Sequence, residues 1–206
     1  MTHGTPRRDL PHVVARPDAD AVTPMQAAAQ SLLRIGLISD THGLLRAEAV
    51  AALRGSDLIL HAGDIGDASL LERLSAIAPV CAVRGNNDVD APGYYLPPTR
   101  RIDAGGKCIF VVHDLGELAV EPVAAGIDAV VSGHSHRPKI ERCDGVLYVN
   151  PGSAGPRRFR LPISVGRLTI AGDRIEAELM PLVIDAAPAS VRRASSPQSR
   201  RRLRHA

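Results

Sequence analysis

Between Arg34 and Leu182, short apolar runs alternate with stretches whose apolar residues recur at helical spacing. Short runs bounded by turn residues read as buried strands, and recurrence at three- and four-residue steps reads as amphipathic helix. Strands are predicted at Arg34–Ser39, Asp57–His61, Val80–Arg84, Lys107–His113, Ala129–Ser132, Val146–Val149, Ser164–Ile170 and Arg174–Pro181. Helices are predicted at Arg46–Arg54, Ala68–Ile77 and Glu117–Ala125. Ala171-Gly172-Asp173 marks a hairpin between the last two strands. The first half therefore reads β-α-β-α-β, which favours parallel crossovers with helices outside. The second half is richer in strands joined by turns and predicts a mixed or antiparallel sheet.

The two ends break this pattern. Residues 1–33 carry Pro6, Pro11, Pro17 and Pro24 without a sustained apolar period, and proline at that density interrupts both helices and ladders. They are expected to form a disordered leader, with Met25 as an alternative start. Residues 186–206 hold six arginines and no acid, so the net charge of +3 conceals a body at −3. This Ser/Arg/Pro-rich tail is expected to be disordered. It is read first as a solvated extension, with contact to nucleic acid by counterion release as the less favoured role. The domain is expected to span 34–185.

Composition narrows the classes. At 206 residues, 45% apolar and 23% charged, the chain suits one packed domain. It has no long uncharged apolar stretch to span a membrane and no secretory pattern at its start. Cys81, Cys108 and Cys143 are an odd set without a CxxC pair, which fits a reducing cytoplasm rather than a disulfide scaffold. Aromatics are 2% and Trp is absent, so a stacking platform for single-stranded nucleic acid is not expected.

The chemistry gathers where the predicted strands end. Successive strands run into Asp40-Thr41-His42-Gly43, Gly63-Asp64, Gly85-Asn86-Asn87-Asp88, His113, and Gly133-His134-Ser135-His136. In open α/β sheets, ligands bind beyond the carboxyl ends of the strands. Asp40, His42, Asp64, Asn86, His113, His134 and His136 provide two carboxylates, one amide oxygen and four imidazoles. That is more than one zinc needs and enough for two metals sharing a carboxylate. Mixed O/N ligation without thiolate suits Mn²⁺, Fe²⁺ or Zn²⁺. Two such ions about 4 Å apart can hold a hydroxide and clamp an in-line displacement at phosphorus. Gly63, Gly85 and Gly133 precede ligands at sharp exits, where close approach or positive φ favours glycine. His61 reads as a core residue of its strand, and His3, His12 and His205 lie in the loose ends.

The ordered set DTHG, GD, GNND, a strand-end His and GHSH resembles the calcineurin-like metallophosphoesterases. The short chain and Asn150-Pro151-Gly152-Ser153 resemble their small bacterial and archaeal phosphodiesterase branch. The resemblance implies an α/β fold, a four-layer αββα sandwich of two mixed β-sheets flanked by helices. It also implies a dinuclear site: Asp40, His42 and His136 on the first metal, Asn86, His113 and His134 on the second, and Asp64 bridging. The implied activity is metal-dependent hydrolysis of a phosphate ester, most often a diester. The implied substrate is a small or nucleotide-like phosphodiester, and the implied cofactors are two divalent ions, Mn²⁺ first, with Ni²⁺, Fe²⁺ or Zn²⁺ as alternatives.

Two positions depart from the family pattern. Asn87 stands where many relatives have a proton-donating His; an amide donates no proton at neutral pH, and general acid catalysis contributes about 10²–10⁴-fold. That favours diesters or good leaving groups. Asp114 follows His113 where Gly is usual, and either orients a ligand imidazole or is a solvated loop acid. Asp88 reads as a turn cap or a partner of a ligand. Asn87 and Arg157 are candidate substrate contacts, Arg157 with its neighbour Arg158 because guanidinium pairs well with phosphate. The alternatives are a non-catalytic protein-binding scaffold on the same fold, or a nuclease using the basic tail.

Overall fold

The computed structural model describes residues 32–88 and 95–184. The leader and the Arg-rich tail lie outside them, apart from Leu32 and Leu33; Leu33 opens the first strand rather than closing the leader. In order, the described elements are β1 (Leu33–Ile38), α1 (Ala47–Leu53), β2 (Leu58–His61), α2 (Ala68–Ser75), β3 (Val80–Ala82), β4 (Thr99–Ala104), β5 (Lys107–Val112), β6 (Ala129–Val131), β7 (Lys139–Cys143), β8 (Val146–Asn150), β9 (Ser164–Ala171) and β10 (Arg174–Pro181).

The strands form two five-stranded sheets, ordered β10-β9-β1-β2-β3 and β4-β5-β6-β8-β7. Each has three parallel strands, β1-β2-β3 and β5-β6-β8, and antiparallel strands complete it. Both sheets are mixed, as the strand pattern of the second half and the implied sandwich require. Their inner faces share one core. Ile35, Leu37 and Leu60 of the first sheet join Ile109, Val111, Val131 and Val149 of the second. The outer face of the first sheet is closed by Leu53 of α1 and Leu70 and Leu74 of α2, packed on Ile38 and Ile59. Central strands buried on both faces read as continuous apolar runs rather than alternating ones.

The outer face of the second sheet is closed differently. Val112, Val130 and Val146 pack there under Leu118, Val120 and Ala125. No α-helix spans 117–125: the segment opens on a 3₁₀ turn at Leu115–Glu117, and a single turn follows at 122–126. Pro122 explains the difference. It lacks an N–H and disfavours helix in the residue before it, so a turn starts afresh, with the Glu121 carboxylate accepting from Ala124 N at 2.6 Å. Strands β4 and β7 escape the sequence pattern because they are edges: β7, Lys-Ile-Glu-Arg-Cys, is exposed throughout, and charge on an edge blocks unwanted pairing.

Candidate metal centre

All seven predicted ligands lie at one rim, past the carboxyl ends of β1, β2, β3, β5 and β6. The loops carrying them are joined backbone to backbone: Asp40 N donates to Gly63 O (3.0 Å), His42 N to Asp64 O (2.9 Å) and Gly133 N to His113 O (2.9 Å). Five of the seven hold left-handed backbone: Asp40 (φ 54°), His42 (45°), Asp64 (55°), His134 (63°) and His136 (56°). For a non-glycine residue this costs about 1–3 kcal/mol each, and such strain gathers at functional sites. Of the glycines before ligands, Gly63 needs φ 91°. Gly85 needs close approach, since a Cβ there would overlap the Asp64 carboxylate.

Asp40 is fully buried. Its Oδ2 accepts from Ser39 Oγ at 2.7 Å. Its Oδ1 has no hydrogen-bond partner; His136 Nε2 lies 3.2 Å away, without hydrogen-bond geometry. Burial pushes the Asp40 carboxyl up to about 6. His42 Nε2 and His136 Nε2 approach to 3.4 Å, their rings stacked with centroids 5.4 Å apart. Burial, and after it the charge of Arg158, lowers His136 to about 4. Burial also lowers His42, against the pull of Asp64. Two neutral imidazole nitrogens converging beside an orphaned carboxylate oxygen fit a divalent cation and fit little else.

The bond made by one nitrogen of His113 shows which of the two is left to ligate. Nδ1 faces Ala62 O at 2.7 Å and must donate to it. Nε2 is left facing Asn86 Oδ1 at 3.2 Å and Asp64 Oδ1 at 3.5 Å, a place for a cation. Burial would lower His113, but its bond with Asp64 outweighs this and raises it. Asp64 is correspondingly held below the usual carboxylate range: burial opposes this, and bonds from His113 and Asn87 prevail. His134 Nδ1 lies 3.1 Å from Asn86 Oδ1. Its Nε2 faces Asp114 Oδ2 at 3.6 Å, so Asp114 stands behind a ligand imidazole while its other oxygen accepts from Gly116 N at 2.9 Å.

Two groups of donors lie close enough to share an ion: Asp40, His42 and His136, and Asp40, Asp64 and His113. Asp40 is common to both, while Asp64 reaches His42 at 3.8 Å on one side and His113 on the other. Asn87 turns into this cluster. Its backbone N and its Nδ2 donate to the two Asp64 oxygens at 2.9 and 2.6 Å. Arg157 is turned back on its own loop, donating to Leu161 O at 3.4 Å; it is Arg158 whose charge bears on His42 and His136.

The profile of the calcineurin-like phosphoesterase superfamily domain matches residues 33–173. The chain belongs to that superfamily. A probable metallophosphoesterase of Methanocaldococcus jannaschii is 36% identical over 158 residues, covering 72% of this chain and 81% of its own length. Among solved structures, vacuolar protein sorting 29 of Cryptosporidium parvum superposes with a TM-score of 0.64 at 21% identity, over 74% of this chain and 92% of its own. An archaeal phosphodiesterase superposes at 0.60 and 20% identity, over 72% and 100%. Both share the two-sheet fold.

Sequence reasoning read His61 only as a core residue and left Asp88 between a turn cap and a ligand's partner, and did not see how they hold the ligand loops. His61 is fully buried. Its Nδ1 accepts from Gly63 N at 3.2 Å, so Nε2 carries the proton and donates to Thr41 Oγ1 at 2.9 Å; Thr41 in turn donates to Ile65 O at 3.1 Å. Burial lowers His61 to about 3, so it stays a neutral brace. Asp88 accepts from Ile65 N, Gly66 N and Gly85 N at 2.8–3.1 Å, tying the Asp64 loop to the Asn86 loop. Asn150 Nδ2 donates to Gly133 O at 2.5 Å and Ser153 Oγ to Asp40 O at 2.9 Å, tying the second sheet's ligands to the first's. The signal available was Asn-Pro-Gly-Ser itself, four turn residues after a strand.

Proposed function

We propose that this chain is a phosphodiesterase holding two divalent ions, with Asp40, His42 and His136 on one, Asn86, His113 and His134 on the other, and Asp64 between them. The observation that carries this is Asp40 Oδ1, a buried carboxylate oxygen with no partner, facing an imidazole of the second sheet. When bound, the ions supply Lewis acidity and an activated water for in-line displacement at phosphorus; Mn²⁺ is the proposed metal, given the oxygen and imidazole donors. The chain's own residues prepare that step. His113 and His134 present fixed nitrogens because Ala62 O and Asp114 occupy their far sides. Asn87 holds both oxygens of Asp64 in place.

The choice of a diester over a monoester follows from Asn87. The amide beside the site gives no proton to a leaving group, so reaction is fastest with an ester whose leaving group departs unaided. The archaeal phosphodiesterase of the same fold supports this reading. A cytoplasmic site of action is supported by three cysteines that are all free. No helix among the described residues is long and apolar enough to cross a membrane. The scaffold reading draws support from the vacuolar sorting protein of like fold. The complete set of seven ligand-type residues favours catalysis.

The test is hydrolysis of bis-p-nitrophenyl phosphate and p-nitrophenyl phosphate by metal-stripped protein, with Mn²⁺, Ni²⁺, Fe²⁺, Zn²⁺ or Mg²⁺ returned singly. The expected result is Mn²⁺-dependent diester cleavage that Asp64→Asn and His134→Ala both lose. A protein that binds two ions and cleaves neither compound would point to the scaffold, and one that binds no metal would falsify the reading.

A further inference from the structure

The loop 156–162, Pro-Arg-Arg-Phe-Arg-Leu-Pro, rises directly from the metal centre. Its base is seated on the first ligand loop: Ala154 N donates to Ser39 O at 3.0 Å, Ser153 Oγ to Asp40 O, and a Cβ on Gly155 would overlap Thr41 O. Arg46 holds Gly155 O with two bonds of 3.2 Å. From Pro156 to Arg160 every residue is exposed. The tip is a turn closed by Leu161 N donating to Arg158 O at 3.2 Å, with Phe159 inside it.

Phe159 is the anomaly. It is 92% exposed and left-handed at φ 52°, where a bulky residue is an outlier and glycine would serve the turn without strain. Among the described residues, the other non-glycine positions at this rim with positive φ are Asp40, His42, Asp64, His134 and His136, each kept for its side chain. Phe159 adds nothing to the core from where it stands. A residue that breaks the local preference without a packing gain marks a site where the side chain itself is wanted. Arg158, exposed on the same turn, has no side-chain hydrogen bond or ion pair among the described residues.

We infer that this loop selects the substrate: Arg158 takes a phosphoryl oxygen that is not attacked, and Phe159 stacks on a nucleobase carried by the ester. The inference rests on the phosphoesterase reading and names the substrate within it, a phosphodiester in which one ester group is a nucleoside. A guanidinium suits phosphoryl oxygens, and an exposed ring offers a face that any base can stack on. One ring serves a single base rather than a strand, in keeping with the chain's poverty in aromatics.

The probes are thymidine 5′-(p-nitrophenyl phosphate) and methyl p-nitrophenyl phosphate, which share a leaving group and differ in the base. The Mn²⁺-loaded wild type should prefer the thymidine ester in kcat/KM. Phe159→Ala should cut that preference roughly tenfold, in KM rather than kcat, while Phe159→Trp keeps it. Arg158→Ala should raise KM for both esters roughly tenfold, and Arg158→Lys should recover part of the loss. A preference that survives Phe159→Ala, or one absent from the wild type, overturns the inference. A wild type that cleaves neither ester overturns the phosphoesterase reading first. The loop is then judged by calorimetry, with equal affinities for thymidine 5′-monophosphate and methyl phosphate counting against it.

Discussion

The two rims of the sandwich fill left-handed backbone with different residues. At the rim away from the metal centre, the chain turns through Gly55, Gly105, Gly106, Gly126, Gly145 and Gly172, all with positive φ, and through Asp144. Around Gly55, Gly106, Gly126 and Gly145 nothing lies within 4 Å of where a Cβ would stand, so glycine is there for its backbone alone. At the ligand rim, Asp and His hold the same conformation at five positions. There the residue supplies a donor side chain, and the backbone holds a strained conformation that places it at the rim. Turns that only reverse the chain relax to glycine; turns that present a donor do not.

The comparison can be broken in several places. The largest effect is expected at Gly85, whose lack of a Cβ leaves room for the Asp64 carboxylate. Gly85→Ala should displace it and lower kcat/KM for a diester about 10²-fold or more, as small misplacements of reacting groups do; near-normal activity would show that Asp64 has slack. Next, Mn²⁺ at 100 times its Kd should raise the unfolding free energy by about 2.7 kcal/mol for each ion bound, and His136→Ala should abolish the share of the ion proposed to sit on it. Equal melting curves with and without metal would remove the ion from the account of these strained loops.

A smaller effect belongs to His61. Burial depresses its folded-state pKa from 6.5 to about 3. The unfolded chain therefore binds the extra proton as pH falls below 6.5 while the folded chain does not, and stability contributed by the neutral ring is lost on that side. The stability gap between metal-free wild type and His61→Gln should shrink by about 2 kcal/mol between pH 7 and pH 5. A gap independent of pH would mean that His61 charges freely. The smallest effects are the direct test of the rims. Metal-free His42→Gly should gain about 1 kcal/mol and Gly145→Ala should lose about 1 kcal/mol, read from denaturant midpoints. Gly145→Ala should keep full activity. Shifts of the same sign would end the contrast.

Most candidate ligands were legible because they follow buried strands that are apolar on both faces, and such strands announce their own ends; Asn86 follows the half-buried edge strand β3. The same logic located β1, β2, β5 and β9 to within a residue or so. It missed β4 and β7, whose charged residues suit an edge and conceal a strand. It extended a helix through Pro122, where a period of apolar residues outweighed the missing N–H. His61 was legible as buried but not as the brace for Thr41, because its partner stands across the sheet on another loop. Between Arg157 and Arg158 the sequence offers no means of choosing; only the turn at Leu161 decides which one points back.

The order in which the chain is made has a consequence for loading. Leu33, at the start of β1, pairs with Ile170 near the end of β9. The first sheet is therefore unfinished until the last hairpin has been synthesised. Asp40 and His42 stand at the far end of that same strand, and His136 comes from the other sheet. During synthesis the earliest ligands wait, without their final shape, for the latest strands. An ion held there would be a clasp fastened last, on a strand whose flank stays open until the C-terminal hairpin pairs with it.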